Sequence, residues 1–143
     1  MLKKLLITSL LFTALFTLSC EKLKEAAGTV TGSVTGIEKT YAGTWNASAT
    51  TDFNSIFYSS TMTVNEDGSM TYRDMSVKED ISFESIAIVK LGNTYTATYT
   101  APNDEYTLTL VIKFDSETQA TISYTKKMGN NTTTENNGIF NKQ

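Results

Sequence analysis

From Tyr41 to Gln143 apolar and polar residues alternate with a period of two, as in strands that bury one face and wet the other. Thr, Tyr, Val and Ile dominate this stretch, and turn-forming clusters recur near residues 55, 67, 79, 92, 103, 117 and 130. Seven turns predict eight strands in an antiparallel meander. The only proline, Pro102, falls in a turn, where its missing N–H removes no ladder bond. A meander of this length can close on itself and so lose both exposed edges. The fold expected is therefore all-β, an eight-stranded antiparallel up-and-down barrel.

Loop lengths follow from setting apolar residues opposite apolar ones, because a one-residue slip inverts every face. A three-residue loop at Glu66-Asp67-Gly68 pairs Val64 with Met70 and Met62 with Tyr72, and puts Gly68 where a left-handed residue is needed. A loop over 102–105 pairs Tyr99 with Leu108, Ala97 with Leu110 and Tyr95 with Ile112. One over 116–118 pairs Phe114 with Ala120, Ile112 with Ile122 and Leu110 with Tyr124. One over 129–131 pairs Tyr124 with Asn136, Lys126 with Thr134 and Ala120 with Phe140. The fourth strand resists this treatment. A Gly92-Asn93 turn turns Ile86 and Ile88 inward but gives Ile81 and Phe83 the wrong parity, unless a bulge falls near Glu84-Ser85; a shifted turn is the rival account. The outward positions Thr107, Thr109, Lys113, Thr121, Ser123 and Thr125 are polar, so the barrel is expected to stand in water, not in lipid.

The first 40 residues follow another logic. Lys3 and Lys4 precede an apolar run from Leu5 to Leu18, which is shorter than the roughly 20 residues of a spanning helix and fits a signal peptide. The run ends at Ser19-Cys20, the only thiol in the chain. This resembles a bacterial lipobox, with Thr17 in the usual Leu position and Leu18 one place later, a loosening similar to spirochaete lipoboxes. The resemblance implies removal of residues 1–19, lipidation of Cys20 and a membrane partner held through that lipid. The competing reading, a plain secretory signal, would leave a free thiol in an oxidising compartment. Residues 20–40, with Thr29-Val30-Thr31-Gly32-Ser33-Val34-Thr35-Gly36, read as a flexible tether, and 41–143 as the barrel domain. Glu21 is not the Asp that retains enteric lipoproteins in the inner membrane, which favours the outer membrane.

Composition narrows the chemistry. The chain of 143 residues has a net charge of -3, no His and one Cys. That excludes His-based acid–base catalysis, Ser–His–Asp and Cys–His nucleophile systems, and His/Cys zinc sites. With no basic surplus, nucleic acid is not an expected partner. Asn65-Glu66-Asp67-Gly68-Ser69 is explained by hairpin chemistry better than by calcium. No catalytic residue, metal or cofactor is expected.

Tyr41-Ala42-Gly43-Thr44-Trp45 opens the first strand with Gly-x-Trp and precedes the eight-strand pattern. In this the chain resembles the calycin superfamily, in particular small lipocalin-like bacterial lipoproteins; the later lipocalin motifs and paired cysteines have no match. The resemblance implies that Trp45 closes one end of a barrel whose interior takes a small hydrophobic molecule. Strand direction sends Trp45, Phe114 and Phe140 toward that closed end. Tyr72, Tyr99, Tyr106, Tyr124 and Lys126 are the expected ligand-binding residues, with Lys126 near an open mouth. Two functions follow: a lipid-anchored binder of a small hydrophobic or amphipathic ligand, or an envelope interaction protein with a side-chain-filled barrel and an unidentified protein partner. Interior volume separates them.

Overall fold

A computed structural model describes residues 32–75 and 77–143; Cys20, the signal segment and the first part of the expected tether lie outside the described residues. The strands are β1 (Ser33–Val34), β2 (Gly43–Ala47), β3 (Thr61–Val64), β4 (Met70–Asp74), β5 (Glu79–Phe83), β6 (Ile88–Leu91), β7 (Thr94–Thr100), β8 (Thr107–Phe114), β9 (Gln119–Met128) and β10 (Asn131–Lys142). They form one antiparallel sheet in the order β1-β6-β7-β8-β9-β10-β2-β3-β4-β5. The molecule is all-β, as its alternation predicts, and every expected turn joins two strands.

The closed eight-stranded barrel is not formed. The sheet is curled as a half-barrel of ten strands with β1 and β5 at its edges. The cause lies in the fourth predicted strand. Glu84 and a 3₁₀ turn at Ser85–Ala87 break it into β5, which pairs with β4, and β6, which pairs with β7 and β1. This break, in place of a bulge, removes the parity conflict. Ile81, Phe83 and Ile88 are all buried, while Ile86, expected inside, is thrown out to 79% exposure. One short chain segment thus serves both ends of the sheet order, which forces the sheet to curl. The β5 residue Phe83 comes within 6.2 Å, ring to ring, of Tyr99 on β7, yet no ladder joins the two strands.

Most predicted registers hold, including Met62–Tyr72, Tyr99–Leu108, Ile112–Ile122 and Ala120–Phe140. The β9–β10 hairpin differs at its tip. Tyr124 faces Glu135, not Asn136, and Lys126 faces Thr133, not Thr134. A register shift between Glu135 and Gly138 then restores the pairing of Ala120 with Phe140. A bulge supplies the extra residue that a tighter turn omits.

Residues Gly32–Thr40, read from sequence as the end of the tether, pack with the sheet as a strap. Ser33 and Val34 pair with Lys90 and Val89, Ile37 is buried, and its N–H donates to Gly68 O at 2.9 Å. Gly36 (φ 68°) passes so close to the β3–β4 turn that a Cβ there would meet Gly68 O at 2.8 Å, so only glycine fits.

Candidate functional site

The interior is filled by the residues expected to line a cavity. Trp45 is wholly buried, donates from Nε1 to Tyr41 O at 3.0 Å and meets Phe114 edge-on at 5.1 Å. Tyr41 stacks on Phe114 at 3.9 Å. Phe140, the third expected closing residue, is buried but packs farther along, against Phe57 at 5.9 Å and Tyr72 at 6.4 Å. Tyr72 and Tyr124, expected ligand contacts, are core residues 6.4 Å apart. Tyr124 donates to the buried Asp74 Oδ2 at 2.7 Å. The Tyr72 hydroxyl is buried with no hydrogen-bond partner; Ser60, beside it, donates to Ile56 O instead. Burial pushes the Tyr72 pKa up strongly.

Tyr99, Tyr106 and Lys126 gather at the interior's margin. The Tyr106 ring lies 6.0 Å from that of Tyr99, and its hydroxyl donates to Glu79 Oε2 at 3.3 Å. Loss of solvation, with the Glu79 carboxylate beside it, pushes Tyr106 up to about 12. Lys126 points inward from its strand, as parity requires, and lays its Nζ 4.2 Å above the Tyr106 ring. Its ammonium caps the aromatic edge. Of the five expected ligand-binding residues the structure thus brings three together, and sets Tyr72 and Tyr124 deeper in the packing.

The feature that period-two reading misses is the loop 48–60, between β2 and β3. It folds back over the sheet end and inserts Phe57, which is 1% exposed. Glu135 clamps it: Ser55 Oγ donates to Glu135 Oε1 at 2.5 Å and the Ile56 N–H to Oε2 at 2.9 Å. Gly138 makes room, since a Cβ there would stand 2.5 Å from the Phe57 ring. The loop leaves a cleft on each side. One, of about 220 Å³, is polar-rimmed and includes Thr51, Asp52, Glu135, Asn136 and Asn137. The other, of about 480 Å³, is lined by Phe53, Asn54, Ser55, Ile56, Tyr58, Ser59, Met75 and Lys78. Phe53 stands 77% exposed at the rim of this apolar cleft, its ring 5.0 Å from that of Tyr58.

Backbone strain collects at the same place. Ser59 (φ 59°) and Lys78 (φ 58°) line the apolar cleft and Asn137 (φ 64°) the polar one, all in the left-handed region. A sequence signal for this site exists. Phe53, Ile56, Phe57 and Tyr58 crowd a connection that is long for two antiparallel strands, and long ordered loops tend to carry function.

Among the described residues no group of three or more His, Cys, Asp or Glu is placed to hold a metal ion. None of their helices is long and apolar enough to cross a membrane. No family model, curated protein or solved structure matches the chain.

Proposed function

We propose that the protein is a lipid-anchored, non-enzymatic component of the cell envelope, held at the outer membrane by Cys20, that meets a protein partner through the loop end of its filled sheet. One observation carries this reading. The interior positions that would line a ligand cavity are occupied by Trp45, Tyr72, Tyr95, Tyr124, Phe57 and Phe140, each at most 1% exposed, while the Phe53–Tyr58 cleft is an apolar depression open at the surface. Exposed aromatic side chains beside a shallow apolar depression are the usual energetic centre of a protein interface. Residues held in strained backbone conformations around it fit the same reading.

A second reading is favoured by the cleft's size. About 480 Å³ falls within the range of small-molecule sites, roughly 300–1,000 Å³, so an amphipathic ligand would sit at the rim and not inside the sheet.

A photo-crosslinking amino acid in place of Phe53, introduced in the native cells, tests the first reading. Covalent capture of a protein, lost when the probe sits instead at the exposed Thr107-side position Lys127, is the expected result. Native mass spectrometry of the wild-type protein from the same cells tests the second. A retained small molecule with no protein adduct would replace the first reading with it.

A further inference from the structure

We propose that the strapped edge of the sheet rests on the bilayer surface, as an apolar interfacial contact added to the lipid anchor; this depends on the reading of Cys20 as lipidated. Three strongly exposed aliphatic side chains lie along the strapped edge, on β1, β6 and the turn before β6: Val34 at 56%, Leu91 at 63% and Ile86 at 79%. Val34 and Leu91 share one face of the sheet, and Ile86 stands in the adjoining turn. Val34 lies opposite Val89, and strand alternation puts Val34, Val89 and Leu91 on the outer face, while Ile88 is buried and Lys90 reaches over the Tyr95 ring. Ile86 belongs to the turn whose Ser85 abuts Gly36, two residues from Val34.

The length of chain ahead of this edge makes the bilayer its partner. Twelve peptide units join Cys20 to Gly32, and an extended chain advances about 3.5 Å per residue, so a lipidated Cys20 holds the edge within about 40 Å of the membrane. Were residues 32–40 free, that reach would be far longer; the β1 pairing and the buried Ile37 shorten it. The neighbouring lysines are neutralised, Lys90 by Glu38 and Lys39 by Glu66, so the contact is apolar and does not call for anionic lipid. The Phe53 cleft is not a rival membrane face. Gly43 pairs with Val64 beside the strap, whereas Asn46 and Thr61 lie at the other end of β2 and β3, where the 48–60 loop departs.

The test uses the full protein, processed in its own cells and reconstituted into phosphatidylcholine vesicles. Ile86→Cys, Leu91→Cys and, for comparison, Phe53→Cys carry an environment-sensitive fluorophore; with Cys20 occupied by lipid, the introduced thiol is the only one free. On reconstitution, labels at 86 and 91 should shift to the blue and be quenched by a lipid-borne nitroxide, while the label at 53 keeps its aqueous emission. Protein that floats with vesicles but keeps aqueous emission at 86 and 91 overturns the proposal and leaves the anchor standing. So does a blue shift that appears only with anionic lipid. Protein that does not float overturns the lipidation reading and this contact with it.

Discussion

The two ends of the curled sheet meet the same demand, turning strands back on themselves, with different residues. At the strapped end the left-handed backbone positions belong to Gly36, Gly43, Gly68 and Gly92. At the loop end they belong to Ser59, Lys78, Asn103, Asp104 and Asn137, with Gly129 the one glycine. A side chain in that region costs about 1–2 kcal/mol, less for Asn and Asp, which tolerate it. The fillings differ in the same sense. Tyr41, Trp45 and Phe114 close the strapped end with stacked and edge-on rings, whereas the loop end buries Asp74 and Ser60; each end also buries one unpartnered tyrosine hydroxyl, Tyr95 at the first and Tyr72 at the second. Both clefts open at the loop end. The strapped end is closed by aromatic packing, while the loop end carries the side chains in left-handed backbone and the two buried polar residues Ser60 and Asp74; the proposed partner surface lies at that second end.

The largest effect belongs to the strapped end. Trp45→Ala removes a wholly buried indole and its bond to Tyr41 O, and should lower the unfolding free energy by about 3–5 kcal/mol in urea titrations. A loss below about 1 kcal/mol would show that the stacked rings are not the anchor. At the loop end the sharpest lever is Gly138→Ala. Its Cβ collides with Phe57, and overpacking of this kind costs about 1–3 kcal/mol. Because Phe57 is carried by a loop, the strain should be relieved by lifting that loop. Amide exchange over 48–60 should accelerate while β7, β8 and β9 stay protected; uniform acceleration would mean that the ends are not separable.

Tyr72 gives a test with a sign. Burial raises its pKa above the ordinary 10, so above pH 10 the folded chain keeps a proton that the unfolded chain gives up. The stability that this represents is whole below pH 10 and falls as pH rises beyond it; Tyr106, raised to about 12, adds to the fall. Tyr72→Phe should therefore flatten the alkaline decline. At pH 7 it should lie within about 1 kcal/mol of wild type, because it deletes a buried hydroxyl that has no partner. An unchanged alkaline slope would exclude Tyr72 as its source.

What could be read from sequence follows from how each feature is encoded. Hairpin registers such as Met62–Tyr72 and Ile112–Ile122 were legible because a slip would bury polar residues along whole strands. The Glu135–Gly138 shift was not, since Asn136 and Asn137 are polar on either side of the bulge and no apolar residue votes between the registers. Ile86 misled because a single 3₁₀ turn suspends alternation for three residues, and with that turn the closed barrel is lost. The candidate site escaped for a related reason. Phe57 enters the core from a loop, where period two says nothing, and its partner Gly138 is legible only once the two are seen in contact. Tyr99, Tyr106 and Lys126 were placed together by parity alone, whereas Tyr72 and Tyr124 needed three-dimensional packing to show that the interior has no space between them.

The smallest effect tests the contrast between the ends most directly. Gly92 has φ 61° and nothing within 4 Å of a would-be Cβ, so Gly92→Ala isolates the backbone cost of a side chain in a left-handed turn. It should destabilise by about 1 kcal/mol. Ser59→Gly makes the reverse change at φ 59° without altering charge. The strain relieved slightly exceeds the extra freedom that glycine gives the unfolded chain, so the variant should be more stable by about 0.5 kcal/mol. Thermal melts of the two variants therefore move in opposite directions. If the strain at Ser59 shapes the cleft, the more stable variant should also capture less partner through the probe at position 53. A Ser59→Gly protein that gains stability and captures as wild type does would detach the strain from the cleft's function. One that loses stability would show that Ser59 is held by contacts stronger than its backbone cost, and the contrast between glycine-built and side-chain-built turns would fail.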